Sequence, residues 1–384
     1  MTFRVDVPPQ LLRWARERSG IDEATWTARF PQYDKWLAGD PAPTFKQLND
    51  FARRTYTPIG YFFLEEPPDE TLPISDFRTI GDRPISQMVS ANLLDTLYRC
   101  QSRQEWYREN QILNDESPLA FVGSATIATP PKQVADEMRE LLNWGRDSRK
   151  RLSSWSAALA LLRDNAEAIG VLVMISGIVG SNTHRKLDPE MFRGFALSDP
   201  YAPLVFVNSA DSKTAQIFTL AHELAHIWLG SSALSDMDPE STRNFGVERW
   251  CNQVAAEFLV PMDEFAAVYK RQVDIREQLQ PLAKHFRVST QVILGRIREI
   301  GVMTWEEFMS ELEYERRRIA QSPSKQSLGG NYHNTKPVQV SKRFARELIA
   351  STLEGRTLYT EAFYLLEVRK TSTLHSLGKK LGVL

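Results

Sequence analysis

The stretch "TLAHELAHIWLG", residues 219–230, constrains this chain more than any other. Two of the six histidines, His222 and His226, stand four residues apart inside an apolar run. That spacing sends both imidazoles out of one face of a helix. Phe218, Ala221, Ala225 and Leu229 recur at helical spacing around them, so the helix is a buried one. Ring nitrogens facing a core need partners. Two histidines at this spacing suit one zinc ion. Glu223 follows the first histidine, on the side where a water on the metal would sit, and can serve as general base.

Zinc chemistry needs a third protein ligand and an open fourth position. The next apolar helix, "GVERWCNQVAAEFLVP", offers Glu248, with Glu257 as a rival on the same helix. Asn252, one turn after Glu248, is placed to support a ligand from behind. Upstream the period changes. "GVLVMISGIV", "FRGFALS" and "PLVFVNS" are short β-branched or aromatic runs bounded by Gly, Asp, Pro and Asn, and read as three strands. Ser212 can cap the histidine helix and Gly230 can end it. The rest reads as helix, with a long one over 84–115 and others at 132–144 and 153–168. The expected fold is mainly α with a small β-sheet, an α+β arrangement.

Composition sets the class. Of 384 residues, 42% are hydrophobic and 25% charged, which suits a soluble globular chain of two or three domains. A net charge of -1 gives no whole-chain attraction to nucleic acid or an anionic membrane. Cys100 and Cys251 are too few for a disulfide framework or a four-thiolate zinc site. No apolar signal core or membrane span is visible, so a cytoplasmic protein without a membrane partner is expected.

"IFTLAHELAHIWLG" followed by "VERWCNQVAAEFLVP" resembles the ImmA/IrrE family of zinc metallopeptidases, over roughly residues 150–320. The resemblance implies a gluzincin-like peptidase domain with helical flanking domains. It implies Zn2+ held by His222, His226 and Glu248, with Glu223 as catalytic base, and assigns Glu257 to helix packing. It also implies a regulatory protein as substrate.

The N-terminal "LLRWARERSG" and "WLAGDPAPTFKQLNDFARRTYTPIGYFFL" resemble the Xre/Cro class of helix-turn-helix domain. The middle departs from that pattern, since Gly20 to Trp36 leaves little room for two complete helices and a turn. Its charge is also nearly balanced, so base readout by this segment alone is not expected. Arg13, Arg16 and Arg18 read either as phosphate contacts or as a solvated helix face, with the solvated face as the default. "PLAKHFRVSTQVILGRIREIG", residues 281–301, has a second helix-turn-helix look, capped by Ser289, or else completes the peptidase core.

The expected organisation is 1–66, a degenerate helix-turn-helix domain; 67–150, a linker and helical connector; 151–320, the peptidase domain; and 331–384, a basic helical tail. "QSPSKQSLGG" makes a flexible break before the tail, whose Lys342, Arg343, Arg346, Arg369, Lys370, Lys379 and Lys380 are candidates to grip an acidic partner or nucleic acid, with a solvated face as the default. The function expected is a zinc metallo-endopeptidase that cuts a regulatory protein in stress- or phage-related control. The rival is an antitoxin-like regulator that binds and neutralises a toxin, such as a nuclease toxin, with the zinc site as switch or structural element. Operator DNA is a candidate partner of either.

Overall fold

The computed structural model describes residues 3–70, 72–76, 79–80, 83–84, 90–150, 152–235, 246–321 and 332–384. Local signals start and stop its first helices. α1 (Pro9–Ser19) opens on proline and closes at Gly20 in the left-handed conformation. α2 (Glu23–Arg29) is capped by Asp22, which accepts from the Thr25 amide. α3 (Tyr33–Ala38) follows, and Thr44 and Gln47 form a capping box at the start of α4 (Phe45–Arg54). A 3-10 turn, Ile59–Phe63, ends the series. Two helices do fit between Gly20 and Gly39, because they have shrunk to seven and six residues.

Leu11, Leu12, Trp26, Phe30, Tyr33, Trp36, Leu48 and Phe51 give these helices a core of their own, dense in edge-on aromatic pairs around Phe51. Arg18 departs from the solvated face expected of it. It is buried and grips Glu70 through two nitrogens, at 2.5 and 2.8 Å, with a third bond to the Tyr56 carbonyl. Residues 1–73 with 83–98 form one compact unit, and 74–82 with 99–384 form the other.

The connector carries the two-residue strands β1 (Ser75–Asp76), β2 (Thr79–Ile80) and β3 (Arg83–Pro84). α5 (Ala91–Leu113) starts later than the helix expected from 84, and 85–89 lie outside the described residues. α6 (Pro131–Leu141), α7 (Arg146–Lys150) and α8 (Trp155–Ala168) lead into the sheet. The three expected strands form: β4 (Leu172–Ser176), β5 (Gly194–Leu197) and β6 (Leu204–Asn208). β6 is parallel to β4 and antiparallel to β5. The sheet is wider than the sequence suggested, with the order β1-β7-β5-β6-β4. The added β7 (Ala233–Ser235) is too short for a visible alternation, and β1 lends only two residues to its edge.

Both faces of this sheet are covered. Val173, Ile175, Ala196, Val205 and Val207 join one core with α8 and α9 (Lys213–Leu229). That core continues through α10 (Gly246–Leu259), α11 (Met262–Val268), α12 (Ile275–Phe286), α13 (Thr290–Glu299) and the start of α14 (Trp305–Gln321). The 281–301 segment therefore completes this core: Leu282, Ala283, Phe286, Val288, Ile293, Leu294 and Ile297 are all buried in it. On the other face lie Leu172, Met174, Phe195 and Phe206, the two phenyl rings stacked at 5.0 Å.

The break expected at 321–330 lies, beyond Gln321, outside the described residues. The tail folds as α15 (Tyr332–Val340), α16 (Lys342–Leu353), α17 (Tyr359–Leu366) and α18 (Thr371–Leu381). α15 and α16 pack on β4. Its basic residues are partly spent inside the chain rather than left to solvent. Lys342 pairs with Asp164, Arg343 donates to Tyr107 Oη and the Glu167 carbonyl, and Arg346 donates to the Leu381 carbonyl.

Candidate metal centre

α9 is fixed at both ends. Ser212 Oγ accepts from the Ala215 amide, and Gly230 adopts a left-handed C-cap. The last turn also receives the loop before α6. The amides of Gly123 and Ala125 donate to the carbonyls of Ile227 and Trp228, at 3.1 and 2.9 Å. The same loop accepts a bond from Trp250 of α10 through the Thr129 carbonyl. Both histidine- and glutamate-bearing helices are thus held by one loop.

Within this frame His222, His226 and Glu248 converge, all buried. The two Nε2 atoms lie 3.1 Å apart. One Glu248 oxygen lies 3.0 Å from His226 Nε2, and the other 3.2 Å from His222 Nε2. Nitrogen ligands at the usual zinc distance sit about 3.3 Å apart along a tetrahedral edge. The three spacings match that edge. On the far side of its ring, His222 Nδ1 meets Asn252 Oδ1 at 2.9 Å. With Nδ1–H donating there, Nε2 turns its lone pair toward the shared point.

Electrostatics favours a cation there. Burial lowers the His226 pKa and keeps its ring neutral, against the opposing pull of Glu248. Burial would raise Glu248, but His222, and after it His226, outweigh burial and hold its carboxyl at about 2. Ionised oxygens and ring-nitrogen lone pairs are left facing one point. One shared proton would serve a single contact, whereas a metal ion serves all three side chains. Among the described residues, these three form the only group of this kind. Cys251 adds no thiolate, because burial pushes its thiol well above the ordinary range.

Glu257, the rival ligand, points elsewhere. Its Oε2 accepts from Arg296 at 2.5 Å, and its Oε1 accepts from the Met262 amide. Arg296 also donates to the Val260 carbonyl. Glu257 therefore ties α10 to α13. Glu223 is buried on α9 beside the two histidines and does not join the ligand triad.

Gly194 of β5 is a neighbour that sequence reasoning missed. A β-carbon there would lie 2.5 Å from the Thr219 methyl, 2.8 Å from the Phe206 carbonyl oxygen and 3.1 Å from Glu223 Oε1. The signal was present, since glycine inside a strand marks a close backbone approach.

These residues fall within a recognisable stretch. Residues 166–298 match the profile of the IrrE N-terminal-like domain of the M78 peptidases, and 340–380 match a domain of unknown function. The radiation response metalloprotease IrrE of Deinococcus radiodurans is 33% identical over 159 residues, covering 38% of this chain and 47% of that protein. The chain thus spans about half the length of that relative. No helix among the described residues is long and apolar enough to cross a membrane.

Proposed function

We propose that this chain is a zinc-dependent endopeptidase whose substrate is a regulatory protein. The observation that carries the reading is the convergence of His222, His226 and Glu248 at tetrahedral-edge spacing, with Glu223 on the same helix. The likeness to a metalloprotease over 166–298 supports it. His222, His226 and Glu248 hold the ion, and Asn252 orients His222. When bound there, zinc supplies Lewis acidity, which acidifies water and polarises a carbonyl. Glu223 accepts a proton from the attacking water and returns it to the leaving amine. Its burial keeps bulk water from competing for that proton.

A second reading, a regulator that binds a partner protein and operator DNA, draws on the separate core of the N-terminal unit. The two can coexist in one chain.

The test is metal content joined to cleavage. Purified protein should hold about one zinc per chain, and His226→Ala should lose it. Glu223→Gln should keep the metal and the fold and lose cleavage of the chain itself or of a candidate repressor. Full metal retention in a His222→Ala/His226→Ala protein would move the site elsewhere, and equal cleavage by Glu223→Gln would remove its assigned role.

A further inference from the structure

Across the sheet from α9, two helices bring three charged side chains onto one carboxylate. Glu367 ends α17 in the left-handed conformation. Its Oε1 accepts from Arg99 at 2.5 Å and from Arg103 at 3.0 Å, both on α5. Its Oε2 accepts from Lys336 of α15 at 2.9 Å and from Ser181 Oγ at 3.3 Å, in the loop after β4. Lys336 also donates to Ser181 Oγ at 3.0 Å, and Arg103 to the Leu365 carbonyl and Met174 Sδ.

The charges do not balance. Arg99, Arg103 and Lys336 bring three positive charges, and Glu367 brings one negative. Among the described residues no second carboxylate is paired with any of the three. Two of the cations are nearly inaccessible, with side-chain exposures of 7% for Arg103 and 1% for Lys336. A clasp that only joined the tail to the sheet would be served by one cation per carboxylate. Surplus buried charge is costly unless an opposite charge meets it.

The surplus opens to solvent in one direction. Arg99 is 38% exposed and gives Glu367 one of its five N–H groups. Ser181 beside it is exposed. Gly180 brings the loop backbone against the cluster. A β-carbon there would lie 3.0 Å from the Arg99 guanidinium and 2.8 Å from Glu367, and its φ of +57° also favours glycine. Exposed Arg369 and Lys370 follow Glu367 within three residues.

We propose that Arg99 and Ser181, backed by the buried charges of Lys336 and Arg103, form a binding site for a small oxyanion of the phosphate class, free or as the phosphate group of a small metabolite. The Arg99 fork supplies charge-assisted donors, the Ser181 hydroxyl fixes orientation, and Lys336 acts through its charge from behind. Burial and the two guanidiniums press the Lys336 pKa down, and a bound anion relieves that pressure. The site is independent of the metal centre, which lies against the opposite face of the sheet.

Calorimetric titration of the full chain with inorganic phosphate, against sodium chloride at matched ionic strength, tests this. Wild type should bind phosphate with a dissociation constant below about 1 mM. Arg99→Ala, at the most exposed of the three cations, should weaken binding roughly ten-fold or more, while Lys379→Ala on α18 should bind as wild type does. His226→Ala should bind phosphate normally, which separates this site from any phosphate held by a metal. A phosphorylated metabolite that competes with phosphate would identify the larger ligand. No phosphate-specific heat in wild type, or equal affinity in Arg99→Ala, overturns the proposal.

Discussion

At the scale of single residues, Glu248 and Glu257 divide two roles that the α10 sequence left open. Glu257 is neutralised by Arg296 and Glu248 faces the two imidazoles. Breaking a buried pair by removing one partner costs about 3–5 kcal/mol. Glu257→Ala should therefore lower the melting temperature by several degrees and keep the metal. Glu248→Ala should lose the metal. Metal loss in Glu257→Ala protein that is still folded at the assay temperature would contradict this division. Gly194 makes a second case. Neither the Phe206 carbonyl nor the branched Thr219 side chain is the yielding end of a long side chain. Gly194→Ala should then push α9 from β5 at a cost of about 1–3 kcal/mol and displace Glu223, measured as a lower denaturant midpoint and weaker cleavage. An unchanged midpoint would show that the contact is loose.

At the scale of elements, acid should loosen the tail. Burial tends to raise the Glu367 pKa, but Arg103, Lys336 and Arg99 overcome it and hold the group at about 2, against an ordinary 4.5. A depressed carboxylate adds stability that is complete above its ordinary pKa and is lost as pH falls through the folded value. Hydrogen exchange of α15–α17 should accelerate between about pH 4.5 and pH 2, and Glu367→Gln should flatten that dependence. Exchange that is equally pH-dependent in the variant would assign the acid sensitivity to another group.

Elements also show what the sequence could disclose. α9 was legible to its caps, because Ser212 and Gly230 bracket an unbroken apolar period. β4, β5 and β6 were legible as β-branched or aromatic runs bounded by turn residues. That His222 and His226 share one face of α9 follows from helical geometry alone. β7 was not legible, since three residues carry no periodicity and its register is set by β5 across the sheet. The fate of Arg18 and of the tail's basic residues was equally hidden, because a charged residue reads as solvated until its distant partner is known. Glu257 stayed open for the same reason, its partner Arg296 lying 39 positions away.

At the scale of the whole molecule, the N-terminal unit has a core without a strongly basic helix face. Arg18 is spent on Glu70, and Arg16 pairs with Glu23. We expect full-length protein to bind duplex DNA from its own upstream region weakly and with a shallow salt dependence unless a partner contributes. Titration at two salt concentrations measures this, since each phosphate contact steepens the slope by about one. Tight, sequence-specific binding with a steep slope would point to a working recognition helix and strengthen the regulator reading. The tail has a different bearing on the molecule, through the order of synthesis. β4 ends at Ser176 with α5, already made, against Met174 on its far face, while the tail helices that also pack on β4 begin at Tyr332. At a ribosomal rate of roughly 5–20 residues per second, β4 would wait roughly 8 to 30 s for these tail helices after it is made. The helices that bear His222, His226 and Glu248 are complete well before then. The nascent chain thus passes through a stage in which those three side chains are made and one face of β4 still lacks its last layer.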